Sequence, residues 1–248
     1  MSPDSSFPRN VCAQCRTQPL VLMQKTIMAE NNISRTASAR CKALWATGII
    51  LSVLIIDQII KVWVKTNFYL GEDYEIFSWF HLRFIQNNGM AFGMEFGSKL
   101  LLTLFRIVAV SLGIWYLVRL CRNPRIPAGY VAVISLVVAG AAGNIADCLV
   151  YGEIFTNPYP PEVASVVSWG EGYGSLFHGL VVDMFYFPLF SFIWPEWMPL
   201  VGGEVFSFFD PVFNFADAAI TVGMLALILF YYKYLGGENE SAESGKKK

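Results

Sequence analysis

Four stretches of the chain run apolar for about the length that crosses a bilayer, with polar segments between them. They cover about residues 43–64, 99–121, 128–151 and 213–235, and each predicts a membrane-spanning helix. Residues 79–86 follow a different period. Phe80, Leu82 and Phe84 alternate with His81 and Arg83, which predicts a short half-buried strand. The turn-rich residues 71–73 before it suit a small sheet, and Asn88-Gly89 after it is a turn signal. Residues 152–212 form a long connection rich in Pro, Gly and aromatics. Within it, residues 186–197 are apolar but broken by proline, which fits the membrane interface better than a span. Residues 1–42 are polar and basic and read as a disordered tail; residues 236–248 form a second polar tail.

Composition agrees with the pattern. The chain is 55% hydrophobic and only 15% charged, with a mean hydropathy of +0.47, whereas about a quarter of a soluble domain is charged. A net charge of -1 gives no electrostatic footprint for nucleic acid. Five scattered cysteines, at 12, 15, 41, 121 and 148, form no disulfide framework. The Cys12/Cys15 pair has no second pair or histidines near it, so it carries little weight as a metal site. The absence of HExxH and GxSxG argues against a zinc protease and a serine hydrolase.

Charge placement then orients the spans. Basic residues gather in the N-terminal tail, at residues 119–125 and in the C-terminal tail, while residues 152–212 hold none. The positive-inside rule puts both termini in the cytoplasm and the two long connections outside. The expected fold is an all-α membrane protein of four transmembrane helices, with a small extracytoplasmic β-sheet and an interfacial loop or helix. The spans make one domain over residues 43–235.

Several polar residues sit where apolar ones are expected, and burying charge in a membrane is costly. Asp57 and Lys61 are four apart in the first span and share a face, so they can pair. Asn144 and Asp147 share a face at the end of the third span, after the small residues 139–143 that let a neighbouring helix come close. Asn214 and Asp217 open the fourth span, where they suit an N-cap and the third helical position. Asp183 lies in the long connection with no neutralising residue nearby in sequence. Asn87 can supply an amide to a polar site. These residues serve equally a small proton- or ion-coupled transporter, although four spans without an inverted repeat are few for that role.

In order and spacing, DQIIK at 57–61, NNGMAF at 87–92, GNIAD at 143–147, VVD at 181–183 and FNFAD at 213–217 resemble the lipoprotein signal peptidase family, signal peptidase II. The resemblance covers about residues 43–235. It implies a multi-pass aspartic endopeptidase of the bacterial cytoplasmic (inner) membrane, with its active site near the outer face. Such an enzyme removes the signal peptide from a diacylglyceryl-modified prolipoprotein, cutting before the lipidated cysteine. It implies Asp183 and Asp217 as the catalytic pair, and Asp57, Lys61, Asn87, Gly89, Asn144, Asp147 and Asn214 as supporting or substrate-binding residues. No metal or other cofactor is expected; the expected partners are the lipidated precursor and membrane lipids, with no nucleic acid, and the oligomeric state is left open with a monomer favoured. The chain departs from the family in two places. Cys148 stands where the family usually has Arg after the GNxxD aspartate, and about 25 residues are inserted around residues 153–177. That insertion, rich in Gly and Pro, is expected to form a mobile flap or rim over the site.

Overall fold

The computed structural model describes residues 13–87 and 99–235. The expected turn at Asn88-Gly89, Cys12 and the tail after residue 235 lie outside the described residues. The first helix, α1, runs Ala13–Asn67 and already covers the thirty residues ahead of the expected span. Residues 13–42 contain no glycine and one proline, Pro19, so little in the sequence interrupts a helix ahead of the apolar stretch. The expectation of a disordered tail is corrected to that extent. A turn through Gly71, whose φ of 89° favours glycine, leads into β1 (Asp73–Phe77) and β2 (Phe80–Asn87). Then come α2 (Lys99–Arg122) and α3 (Ala128–Ile154), joined by a short turn whose carbonyls at Asn123 and Ile126 accept from Lys42 Nζ at 2.9 and 2.6 Å.

Asp183 does not lie in a loop. It belongs to β3 (Val181–Tyr186), which adds antiparallel to β2 and completes a sheet of order β1-β2-β3. Its run of Val181, Val182 and Met184 is buried on both sides, so the alternation that marks a strand is missing from the sequence. The proline-broken aromatic stretch forms an antiparallel hairpin of β4 (Phe190–Ile193) and β5 (Val205–Phe208). Its Phe190, Trp197, Leu200 and Phe208 are exposed. The fourth apolar helix is shorter than expected. Helix α4 covers Phe215–Phe230, 16 residues or about 24 Å, and α5 (Tyr232–Leu235) follows after Tyr231. No glycine or proline marks that end, so the sequence reads straight through it. Three helical stretches, Ser34–Asn67, Lys99–Arg122 and Ala128–Ile154, are long and apolar enough to cross a membrane.

Helix α3 is the axis of the bundle and packs against α1, α2 and α4. Gly140 meets α4 so closely that a methyl there would collide with the Ala216 carbonyl oxygen. The small residues at 139–143 therefore do what their size predicts. Apolar side chains that face away from α3, among them Leu51, Ile55, Phe105, Leu112, Leu225 and Leu229, are exposed. A belt of this extent suits hydrocarbon rather than water. Beyond α3, the inserted stretch does not form a free flap. It folds onto the helix end: the amides of Val167, Gly172 and Gly174 donate to the carbonyls of Ile154, Glu153 and Gly152, at 2.8–3.0 Å. Those bonds satisfy carbonyls that a helix C-terminus leaves open.

Candidate active site

The site forms where the C-terminal halves of α1 and α3 meet the start of α4 and the edge of β3. Helical spacing puts Asp57, Gln58 and Lys61 toward α3. Lys61 Nζ lies 2.9 Å from Asp57 and 2.8 Å from Asp147, and all three side chains are wholly buried. The i, i+4 pair expected from the sequence is thus real, and a second carboxylate joins it. Asp57 also accepts from the Ala216 amide at 2.9 Å, which ties α1 to the first turn of α4. Asp147 accepts from Gln58 Nε2 at 2.9 Å and from the Val182 amide at 3.4 Å, which ties α3 to β3. Gln58 is oriented in turn by the Tyr151 hydroxyl, 3.1 Å from its Oε1.

Asn144 passes this arrangement on to the acids. Its Oδ1 accepts from Lys61 at 2.8 Å and from Asn214 Nδ2 at 3.1 Å, and its Nδ2 donates to Asp217 Oδ1 at 2.7 Å. Asn214 is the N-cap of α4 and forms the expected capping box: its side chain accepts from the Asp217 amide at 2.9 Å, and the Asp217 carboxylate accepts from the Asn214 amide at 3.4 Å. Asn214 Nδ2 also donates to Asp183 Oδ1 at 2.6 Å. One asparagine therefore bridges Asp183 and Asp217. Asn87 Nδ2 donates to the other Asp183 oxygen. Strand register explains the reach: Ile85 pairs with Asp183 and Asn87 with Val181, so Asn87 and Asp183 are diagonal neighbours on one face.

The structure brings together Asp57, Lys61, Asn87, Asn144, Asp147, Asp183, Asn214 and Asp217; Gly89 lies outside the described residues. Asp183 and Asp217 both line a cleft of about 1140 Å³, which also has Arg83, Asn87, Arg106 and Asn144 in its walls. None of its lining comes from the inserted residues 153–177, so nothing in the described structure places them as a rim over the acids. Asp183 is 1% exposed; burial, and then the negative charge of Asp217, push its carboxyl up to about 8, against the pull of the Asn214 hydrogen bond. The ion pairs among the described residues are Lys61–Asp57, Lys61–Asp147 and His81–Asp73, and neither cleft acid takes part in one. No group of three His, Cys, Asp or Glu suited to hold a metal ion occurs among the described residues.

Sequence reasoning missed Gln58, Tyr151 and Arg106. Arg106 had a signal, as the one charged residue in the apolar run 100–118. Its Nη1 lies 3.5 Å from Cys148 Sγ. Gln58 and Tyr151 had none, because each is ordinary in a helix until its neighbour is known.

The chain has relatives among known proteins. The family model described as signal peptidase (SPase) II matches residues 49–233. A lipoprotein signal peptidase of Porphyromonas gingivalis is 46% identical over 184 residues, which cover 74% of this chain and 81% of that protein. One from Amoebophilus asiaticus is 38% identical over 196 residues, covering 76% and 78%. A solved bacterial membrane enzyme aligns with a TM-score of 0.49 at 22% identity, over 82% of this chain and 92% of that one. The chain belongs to the signal peptidase II family.

Proposed function

We propose that this peptidase hydrolyses its substrate with water activated by Asp183 and Asp217. The observation that carries the reading is that the two carboxyls line one cleft, share Asn214 as a bridge, and have no ion-pair partner among the described residues. Two neighbouring carboxyls do not both ionise cheaply, so the pair holds one proton between them. Burial favours that proton on Asp183. Asp217 then takes a proton from the attacking water while Asp183 gives its own to the scissile carbonyl oxygen. The tetrahedral intermediate collapses with protonation of the leaving amine. The products are a signal peptide with a new carboxyl end and a lipidated cysteine with a free amine, and the pair again holds one proton.

The substrate in this reading is a diacylglyceryl-modified prolipoprotein, cut before the lipidated cysteine. The names of the relatives and a cleft that runs between membrane helices support that class. The lack of Lys and Arg in residues 152–212 supports an outer location for the site, with both termini cytoplasmic. The test is cleavage of a diacylglyceryl-modified precursor by purified protein in detergent with chelator present. Turnover by wild type and none by folded Asp183→Asn or Asp217→Asn is the expected result. Full turnover by either variant overturns the two-acid reading.

A further inference from the structure

Arg106 lies seven residues into α2 from Lys99, about 10 Å along the helix axis. A guanidinium cannot shed its charge, so at that depth it needs oxygen acceptors. The described residues supply little: none of the ion pairs among them includes Arg106, and its one hydrogen bond among them is to the Cys148 thiol, a weak acceptor. The side chain is only half-buried and faces the cleft that holds Asp183 and Asp217. Cys148 follows Asp147 directly on α3, so the thiol fixes the guanidinium beside the helix that carries Asn144. Across the cleft, Arg83 has its guanidinium 5.4 Å from the centre of the Tyr186 ring. A site with an acid pair on one wall and an under-satisfied guanidinium on another is suited to an elongated neutral ligand. Such a ligand puts a scissile carbonyl at the acids and further carbonyl oxygens at the arginine.

We infer that Arg106 is a substrate-anchoring residue whose guanidinium holds carbonyl oxygens of the lipidated precursor and so sets which peptide bond reaches Asp183 and Asp217. This rests on the peptidase reading above. The carbonyls have two possible sources, the peptide backbone and the glyceryl esters, and both offer the same acceptor chemistry.

The test measures cleavage kinetics on a diester precursor and on its dialkyl ether analogue, together with binding of each to the non-cleaving Asp183→Asn protein with and without Arg106→Gln. Loss of hydrogen bonds to a charged donor is expected to raise KM and weaken binding about ten- to a hundredfold, with kcat changed much less. Arg106→Lys should recover part of the loss. If the partner is the ester, the ether analogue is weak for wild type and Arg106→Gln adds nothing to that weakness. If it is the backbone, Arg106→Gln loses equally on both substrates. Unchanged KM and binding, or a loss confined to kcat, overturns the inference. Gln keeps much of the arginine stem and its packing; if that variant still unfolds, Arg106→Lys decides alone, and a Lys variant with wild-type KM on both substrates also overturns it. If wild type fails to cleave either precursor, it is the peptidase reading that fails.

Discussion

The Lys61 node and the Asp183–Asp217 cleft are joined through Asn144, yet they treat carboxylates in opposite ways. At the node, Asp57 and Asp147 share one ammonium, and the remaining oxygen of each is used up on a backbone amide or Gln58. Nothing there is left to exchange a proton with a ligand. In the cleft, the donors to the acids among the described residues are amides, from Asn87, Asn144, Asn214 and the α4 cap, and the acids face an open volume. In the proposed two-acid reading, buried carboxylates are fixtures beside a cation and reagents without one. The number of acids in a membrane protein is therefore less informative than where its lysines are.

The largest effects are expected at the cleft. Asp183→Asn and Asp217→Asn should each lower cleavage by at least about a thousandfold while the protein still elutes as a folded species, since each removes a proton-exchanging group. The double variant should be little worse, because the pair acts as a unit. At the node the order of effects should reverse. Lys61→Met leaves two buried carboxylates without their cation, and a loss of about 3–5 kcal/mol is expected in thermal or denaturant unfolding in detergent. A Lys61→Met protein of wild-type stability that has lost only activity would erase the distinction.

A third test separates the regions by pH. Below the ordinary carboxyl value near 3.8, Asp183 is protonated in both folded and unfolded chains. As pH rises toward about 8, the folded chain keeps a proton that the unfolded chain has released, so Asp183 subtracts stability progressively through that window and no further above it. Asp183→Asn should flatten the fall in melting temperature between those limits. An unchanged pH profile would mean that the cleft does not hold the proton there.

The smallest effect is expected one turn beyond the node. Lys65 is as buried as Lys61, but its Nζ has no hydrogen-bond partner among the described residues; it sits 5.1–6.0 Å from the ring centres of Tyr173, Phe155 and Phe84. Cation–π attraction offsets part of the cost of burying it. Lys65→Met should change unfolding by no more than about 1 kcal/mol in either direction, because an apolar side chain replaces a poorly satisfied ion. A loss as large as that of Lys61→Met would show that the rings hold the cation as firmly as carboxylates do.

What the sequence made legible follows the reach of its interactions. Asp57 with Lys61, Asn144 with Asp147, and Asn214 with Asp217 are each within one helical turn, and spacing alone brings each pair onto one face. The alternation around Phe80, Leu82 and Phe84 marks β2 for the same local reason. Asp183 was visible as an unneutralised acid, but its strand was not, since β3 is paired with residues almost a hundred positions away and lacks alternation. The end of α4 at Phe230 was missed because no stop residue marks it, and the helix through residues 13–42 because a polar, basic stretch shows no apolar periodicity to read. The insertion read as a flap because glycine and proline signal turns without saying what the turns fold against; the carbonyls at the end of α3 decide that.

The tight seam at Gly140 has a mechanical consequence. The first turn of α4 is backed by α3 at Gly140, pinned by Asp57 at the Ala216 amide, and closed by its own cap. Asp217 therefore sits on an anvil. A force on that acid from the cleft side meets α3, which is wedged among three helices. In the proposed reading, adjustment to an incoming peptide falls to the substrate or to the sheet that carries Asp183. The working stroke of the enzyme then belongs to the strand side, with the helix side acting as the fixed jaw.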